Sequence, residues 1–182
     1  GVQSTTSEGP DSTRKFLLAR RLIEAGVRCV SVSISDFDTH SSNFDRMKNL
    51  MPIVDHGLTT LVADLEERGI LDDVSIVAWG EFGRTPRINS KNGGRDHWAN
   101  LCTLALAGGG LNHGQVIGRS ARNNDVPATE PYDAGHLMSS IFHTVFDIGT
   151  LRVTRGVNRE LLARIEGTDP IRELFAAVGS RS

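Results

Sequence analysis

Cysteine is scarce in this sequence. Cys29 and Cys102 are the two present, and they form no CxxC pair. That excludes the usual thiolate zinc site. Both lie in apolar runs, VRCVSV and NLCTLAL, so they read as unpaired, buried thiols rather than a disulfide. An excess of charge is lacking too. Lys and Arg number 20 against 22 Asp and Glu, a formal net charge of −2. No nucleic-acid partner and no membrane-surface stripe is expected from that balance. No apolar run reaches the length of a membrane span, and no signal peptide is visible. Internal repeats and low-complexity tracts are absent. There is no G-x-S-x-G elbow, so nucleophilic catalysis by a Ser/His/Asp set lacks its local signature.

What is present is an alternation of helix and strand patterns over 182 residues, a length that suits one domain or part of a larger one. Residues 1–11, within the polar opening GVQSTTSEGPDST, read as a linker or a cut end of a longer protein. An apolar stripe through Phe16, Leu17, Ala19 and Ile23 predicts a helix over 12–26, capped by Ser12 or Thr13 and stopped at Gly26. The β-branched stretch VRCVSVSIS (27–35) predicts a strand. Phe44, Met47, Leu50, Val54, Leu58, Leu61 and Leu65 predict a long amphipathic helix over 42–68, kinked at Pro52. VSIVAWG (74–80) is apolar throughout and predicts a strand buried on both faces.

A polar, glycine-rich loop over 81–99 leads to a third strand, LCTLALAG (101–108), and then to a turn with a short strand or hairpin arm over 108–118. Residues 119–131 read as an irregular loop, and 133–149 as a helix capped by Asp133. The tail over 151–182 is polar, with one short helix at PIRELFAAV (170–178). Helix–strand alternation of this kind predicts an α/β fold with a largely parallel sheet. Three or four strands are few for it, so part of the sheet is expected outside this chain.

In open α/β sheets, ligands bind beyond the carboxyl ends of the strands. Asp38 and His40 follow the 27–35 strand, and Glu81 follows the 74–80 strand. The 81–99 loop can return Asp96 and His97 to the same edge only if strand 101–108 runs antiparallel to strand 74–80. This predicts two acid–histidine pairs and a glutamate around one crevice. Imidazole and carboxylate donors of this mix suit zinc, manganese or iron, and magnesium or calcium less well. A divalent ion there would activate a water or clamp an anionic ester. Arg84 and Arg95 flank the crevice in sequence, and their planar forks suit phosphate, sulfate or carboxylate.

Blander readings hold for other candidates. DFDTHSSNFD resembles a calcium loop, but its sixth position is Ser41 and its twelfth is Met47, where Gly and Glu are required. His113 reads as a turn residue, Asp55 and His56 as a solvated helix face, and His136 and His143 as structural histidines.

Taken together, FDTHSSNF, LVADLEERGILDDVSIVAWGEFGRTPRIN, GRDHWANLCTLALAGGGLNHGQVIGRS and EPYDAGHLMSSIFHTVFDI resemble the carboxyl-terminal half of an uncharacterised, sulfatase-like bacterial family, domain of unknown function 1501. The resemblance spans about residues 12–150. That family is similar to the alkaline phosphatase superfamily. The resemblance implies a three-layer α/β/α fold with a mixed, mostly parallel sheet, and Asp and His ligands holding divalent ions for phosphate or sulfate ester hydrolysis. Asp38 and His40 match the superfamily's Asp-plus-His pair, Glu81 the place of its strand-end Asp, and His97 that of its later lone His. Glu81-Phe82 replaces the superfamily's Asp-His, which favours one metal over two. The superfamily's nucleophile strand has no counterpart here, so the chain is expected to be inactive by itself. An exported, periplasmic location for the parent protein is implied in the same way, as is an anionic small-molecule or polysaccharide ester as substrate. A non-catalytic, metal-stabilised binding or scaffold protein is the alternative.

Overall fold

The computed structural model describes residues 8–175. In chain order its helices and strands are α1 (Arg14–Glu24), α2 (Asn43–Glu67), β1 (Ile76–Ala78), β2 (Gly83–Arg84), β3 (His97–Trp98), β4 (Ala105–Ala107), α3 (Ala134–Val145), α4 (Ile148–Val153), α5 (Arg159–Glu166) and α6 (Arg172–Phe175). They fall into two compact units. The first takes the chain up to Gly69 together with Phe82–Ala99; the second takes Ile70–Glu81 and the chain from Asn100 onward.

In the first unit a single 3-10 turn, Pro10–Thr13, leads into α1. Proline suits that start because its missing N–H would have no helical partner. The end of α1 is closed by two bonds, Val27 N–H to Leu22 O at 3.0 Å and Gly26 N–H to Ile23 O at 2.9 Å. This is the Schellman pattern. It needs a left-handed residue after the cap, and Gly26 supplies it with φ +93. Phe16 and Ala19 of α1 are buried, as are Leu50, Ile53 and Leu65 of α2. Of the stripes expected from the sequence, Phe16, Ala19, Leu50 and Leu65 are buried and Val54, Leu58 and Leu61 half-buried, but Leu17 and Phe44 are exposed. α2 is one element across the exposed Pro52.

The second unit pairs β1 with β4 in antiparallel register, Ile76 opposite Ala107 and Ala78 opposite Ala105. This is the direction that the loop argument required. Asp133 caps α3 as expected, its Oδ1 accepting from His136 N–H at 3.1 Å. Leu111, Ile171 and Leu174 form a buried cluster, with Leu106 and Ile117 packed against it.

Several expectations are corrected here. The 27–35 segment joins no sheet among the described residues, although Val30, Val32 and Ile34 are half-buried and Cys29, Ser31 and Ser33 exposed, which is the two-residue period of a strand. Pairing depends on a distant partner, and periodicity does not reveal one. β1 is half-buried rather than buried on both faces. Residues 108–118 contain no strand. The helix expected over 133–149 stops at Val145 and restarts as α4, because Asp147 caps a new helix by accepting from Thr150 N–H at 3.1 Å.

The segment after 150 is more ordered than its polarity suggested. Asn158 caps α5. Ser139 Oγ donates to Ile165 O at 3.2 Å, and Ser140 Oγ accepts from Ile171 N–H at 2.9 Å. These polar pins tie the segment to α3, and Ile165, Ile171 and Leu174 are buried beside them. The helix expected over 170–178 appears as α6, and 176–178 lie outside the described residues. Both cysteines are free, but both are exposed rather than buried. Among the described residues no helix is long and apolar enough to cross a membrane, and both strand pairings are antiparallel.

Candidate metal centre

The site lies in the first unit, where two segments distant in sequence are laced together by their backbones. Residues 39–43 meet residues 92–95 through Arg95 N–H to Thr39 O at 2.9 Å, Ser42 N–H to Asn92 O at 3.0 Å and Asn43 N–H to Gly93 O at 2.9 Å. The approach is so close that a Cβ on Gly94 would lie 1.9 Å from His40 O. Only glycine allows it. Thr39, between Asp38 and His40, points inward at 1% exposure and donates to Asn43 Oδ1 at 2.6 Å. That turns its two neighbours outward. On the other segment, β2 and β3 pair antiparallel and set Arg84 opposite His97. Thr85 locks the register, accepting from Asp96 N–H on its hydroxyl at 3.1 Å and donating its own N–H to Asp96 O at 2.9 Å.

Three donor atoms converge. His40 Nε2 and His97 Nε2 are 3.1 Å apart. Asp38 Oδ1 is 3.1 Å from His97 Nε2 and 3.1 Å from His40 Nε2. Ligand atoms bound at transition-metal distances stand roughly 2.9–3.4 Å from one another, from octahedral to tetrahedral angles. The triangle therefore has the dimensions of one face of a coordination shell. Two imidazoles and one carboxylate suit zinc or ferrous iron, with positions left open. All three residues are exposed, so the site is accessible to solvent and ligand.

Asp96 takes a different place from the one expected. Its Oδ1 lies 3.0 Å from His40 Nδ1. A carboxylate only accepts, so Nδ1 is the donor in this contact, which would aim Nε2 at an ion. Asp96 thus orients a ligand.

Arg84 Nη2 donates to Asp38 Oδ1 at 2.5 Å and Nη1 to Arg95 O at 3.3 Å. With His97 as a second donor, Arg84 holds the Asp38 carboxyl down to about 2 from an ordinary 3.8. Asp38 is therefore ionised throughout the neutral and mildly acidic range. Arg95 instead gives Nη1 to Thr85 O at 2.6 Å and Pro86 O at 2.9 Å, bracing the β2–β3 loop. Phe82, marked in the sequence only as a departure from the superfamily's Asp-His, packs with its ring centroid 4.3 Å from that of His97. Its position one residue before β2 was the available signal. Glu81 belongs to the second unit and the three donors to the first.

Three further histidines keep structural roles, while His56 lies on the exposed face of α2 as expected. His113 Nε2 donates to Gly108 O at 3.0 Å, and His143 Nδ1 to Ser139 O at 2.8 Å. His136 completes the α3 cap with Asp133.

A mixed carboxylate–imidazole cluster on a laced loop pair, within a chain of this pattern, defines a candidate metal-binding domain. The chain matches the family described as "Protein of unknown function (DUF1501)" over residues 1–174, and it belongs to that family. No curated protein and no solved structure matches it.

Proposed function

We propose that the chain is the carboxyl-terminal part of a metal-dependent hydrolase of phosphate or sulfate esters, built on an alkaline phosphatase-like three-layer α/β/α domain and working in an exported, periplasmic setting. The observation that carries the reading is the triangle of Asp38 Oδ1, His40 Nε2 and His97 Nε2, each 3.1 Å from the others. A divalent ion held there would supply Lewis acidity toward an anionic ester or a bound water. Asp38, His40 and His97 would hold it, Asp96 would orient His40, and Arg84 would meet the anionic group of the substrate. The test loads the chain with zinc, manganese or ferrous iron, measures metal stoichiometry by elemental analysis, and screens aryl phosphates and aryl sulfates. One ion per chain is expected, lost in His40→Ala and His97→Ala. Unchanged metal content in both variants would overturn the metal reading. Ester turnover, by the chain or by a longer protein containing it, must fall with the metal.

The second reading is a metal-stabilised binding or scaffold protein. It is favoured by Thr39, the hydroxyl between two of the ligands, which is buried and bonded to Asn43 and so is not presented as a nucleophile. Metal bound at full stoichiometry with no turnover of any ester would decide for this reading.

A further inference from the structure

Three non-glycine residues among those described have positive φ, and two of them, Asp36 (φ 74) and Ser42 (φ 46), bracket the loop that carries Asp38 and His40. Side-chain-bearing residues rarely adopt this conformation, and it persists where the surroundings impose it. One side chain ties this loop to α2. Ser42 is the N-cap of α2, its O taking the first helical bond from Arg46 N–H at 3.1 Å, and the Arg46 guanidinium pairs through Nη2 with Asp36 Oδ1. Its Nη1 reaches toward Asp38 O at 3.4 Å.

Arg46 stands in the first turn of α2. A cation there opposes the positive end of the helix dipole, so helix stability does not explain it. Nor does fold stability account well for the pair. Both side chains are mostly sheltered, at 18% and 19% exposure. Asp36 Oδ2 and Arg46 Nε are buried without a hydrogen-bond partner. A sheltered ion pair left incompletely satisfied gives poor stabilisation.

We propose that Arg46 and Asp36 are positioning residues. Their ion pair clamps the 36–42 loop onto the start of α2 and so fixes where Asp38 Oδ1 and His40 Nε2 stand relative to His97. The inference rests on the metal reading of that triangle for its function, but the clamp itself is a property of the loop.

The test measures zinc affinity by competition with a chromophoric chelator, and the cross-peak between the His40 and His97 rings in the metal-free protein by NMR. Partners that orient a metal ligand typically change affinity ten- to a hundredfold. Arg46→Met should weaken zinc by at least tenfold and erase the ring cross-peak. Arg46→Lys keeps a charge for Asp36 but not the fork that reaches Asp38, and should fall between. Asp36→Gly relieves the backbone strain yet removes the carboxylate, so it should weaken zinc as well. Arg68→Met, which removes ion pairs with Asp64 and Glu24 at the far end of α2, should leave zinc affinity unchanged. If Arg46→Met does not fold, Asp36→Asn replaces it, since asparagine tolerates positive φ.

Zinc affinity within twofold of the parent in Arg46→Met, or a retained cross-peak, would overturn the clamp. If the parent chain itself binds no zinc, the metal reading falls, and the cross-peak alone decides for or against the clamp.

Discussion

The Asp96 carboxylate stands 3.0 Å from Nδ1 of His40, and this contact makes Nδ1 a donor and fixes the ring's orientation. Nε2 of His40 then faces Nε2 of His97 at 3.1 Å. Asp96→Asn keeps the shape but offers its Nδ1 neighbour either an amide donor or a weaker acceptor. Zinc affinity should fall ten- to a hundredfold with stoichiometry still one ion per chain. His97→Ala should abolish stoichiometric binding. If the two variants bound alike, Asp96 would be a ligand itself, as its sequence position first suggested.

Binding should also follow pH in a particular direction. Asp38 is held at about 2 by Arg84 and then His97, so its charge is constant from neutral pH down through mild acid. Loss of affinity in that window must come from the other ligands, because protons compete with a metal ion for the nitrogens of His40 and His97. Zinc affinity should therefore fall as pH is lowered, while the charge of Asp38 stays constant. A flat profile in isothermal titration would remove both histidines from the ligand set.

Gly94→Ala is the sharpest test of the laced loops. The new methyl group would lie 1.9 Å from His40 O and 2.0 Å from His40 C, both backbone atoms that cannot rotate aside. A destabilisation on the order of 1–3 kcal/mol in urea unfolding is expected, together with weaker zinc binding. Unaltered values of both would show that the 39–43 and 92–95 segments are not in contact.

Glu8 offers a stability test away from the site. Its carboxyl is lowered from 4.5 to about 2, first by the Ser12 hydroxyl, then by the Ser35 N–H and the Lys15 ammonium. A depressed carboxyl stabilises the fold above its ordinary range, and that contribution is lost as pH falls toward the folded value. Glu8→Gln should melt at lower temperature than the parent at neutral pH. The gap should narrow below about 4.5 and close near 2. A gap that stays constant with pH would show that charge on Glu8 is not its source.

The parts of this architecture that were legible in sequence are those with local causes. Gly26 ends α1, Asp133 caps α3, and the stripe through Leu50 and Leu65 faces inward, each because neighbours a few residues away decide it. The Asp38–His40 pair and His97 were legible because short-spaced donors in loops are chemically conspicuous. The antiparallel β1–β4 pairing followed from loop geometry. What escaped depends on distant partners. The 27–35 segment alternates like a strand, yet nothing local names its neighbour. Arg95 is planar and cationic like Arg84, and only the positions of Thr85 O and Pro86 O reveal that it braces a loop. RELLARIE (159–166) is polar enough to pass for a tail, while its anchoring falls to the fully buried Ile165, whose O accepts from Ser139 of α3.

The Arg84 guanidinium bears on a single oxygen of Asp38, and this sets the local charge balance. Asp38 and Asp96 against Arg84 sum to one negative charge at the cluster, which favours cations. A divalent ion held there would reverse the sign and leave one positive charge in surplus. At an exposed surface that surplus is neutralised by whatever anion arrives, whether hydroxide or an oxyanion from solution. On the metal reading, the cluster would thereby favour a second ion of opposite sign, and metal and anion would each raise the retention of the other.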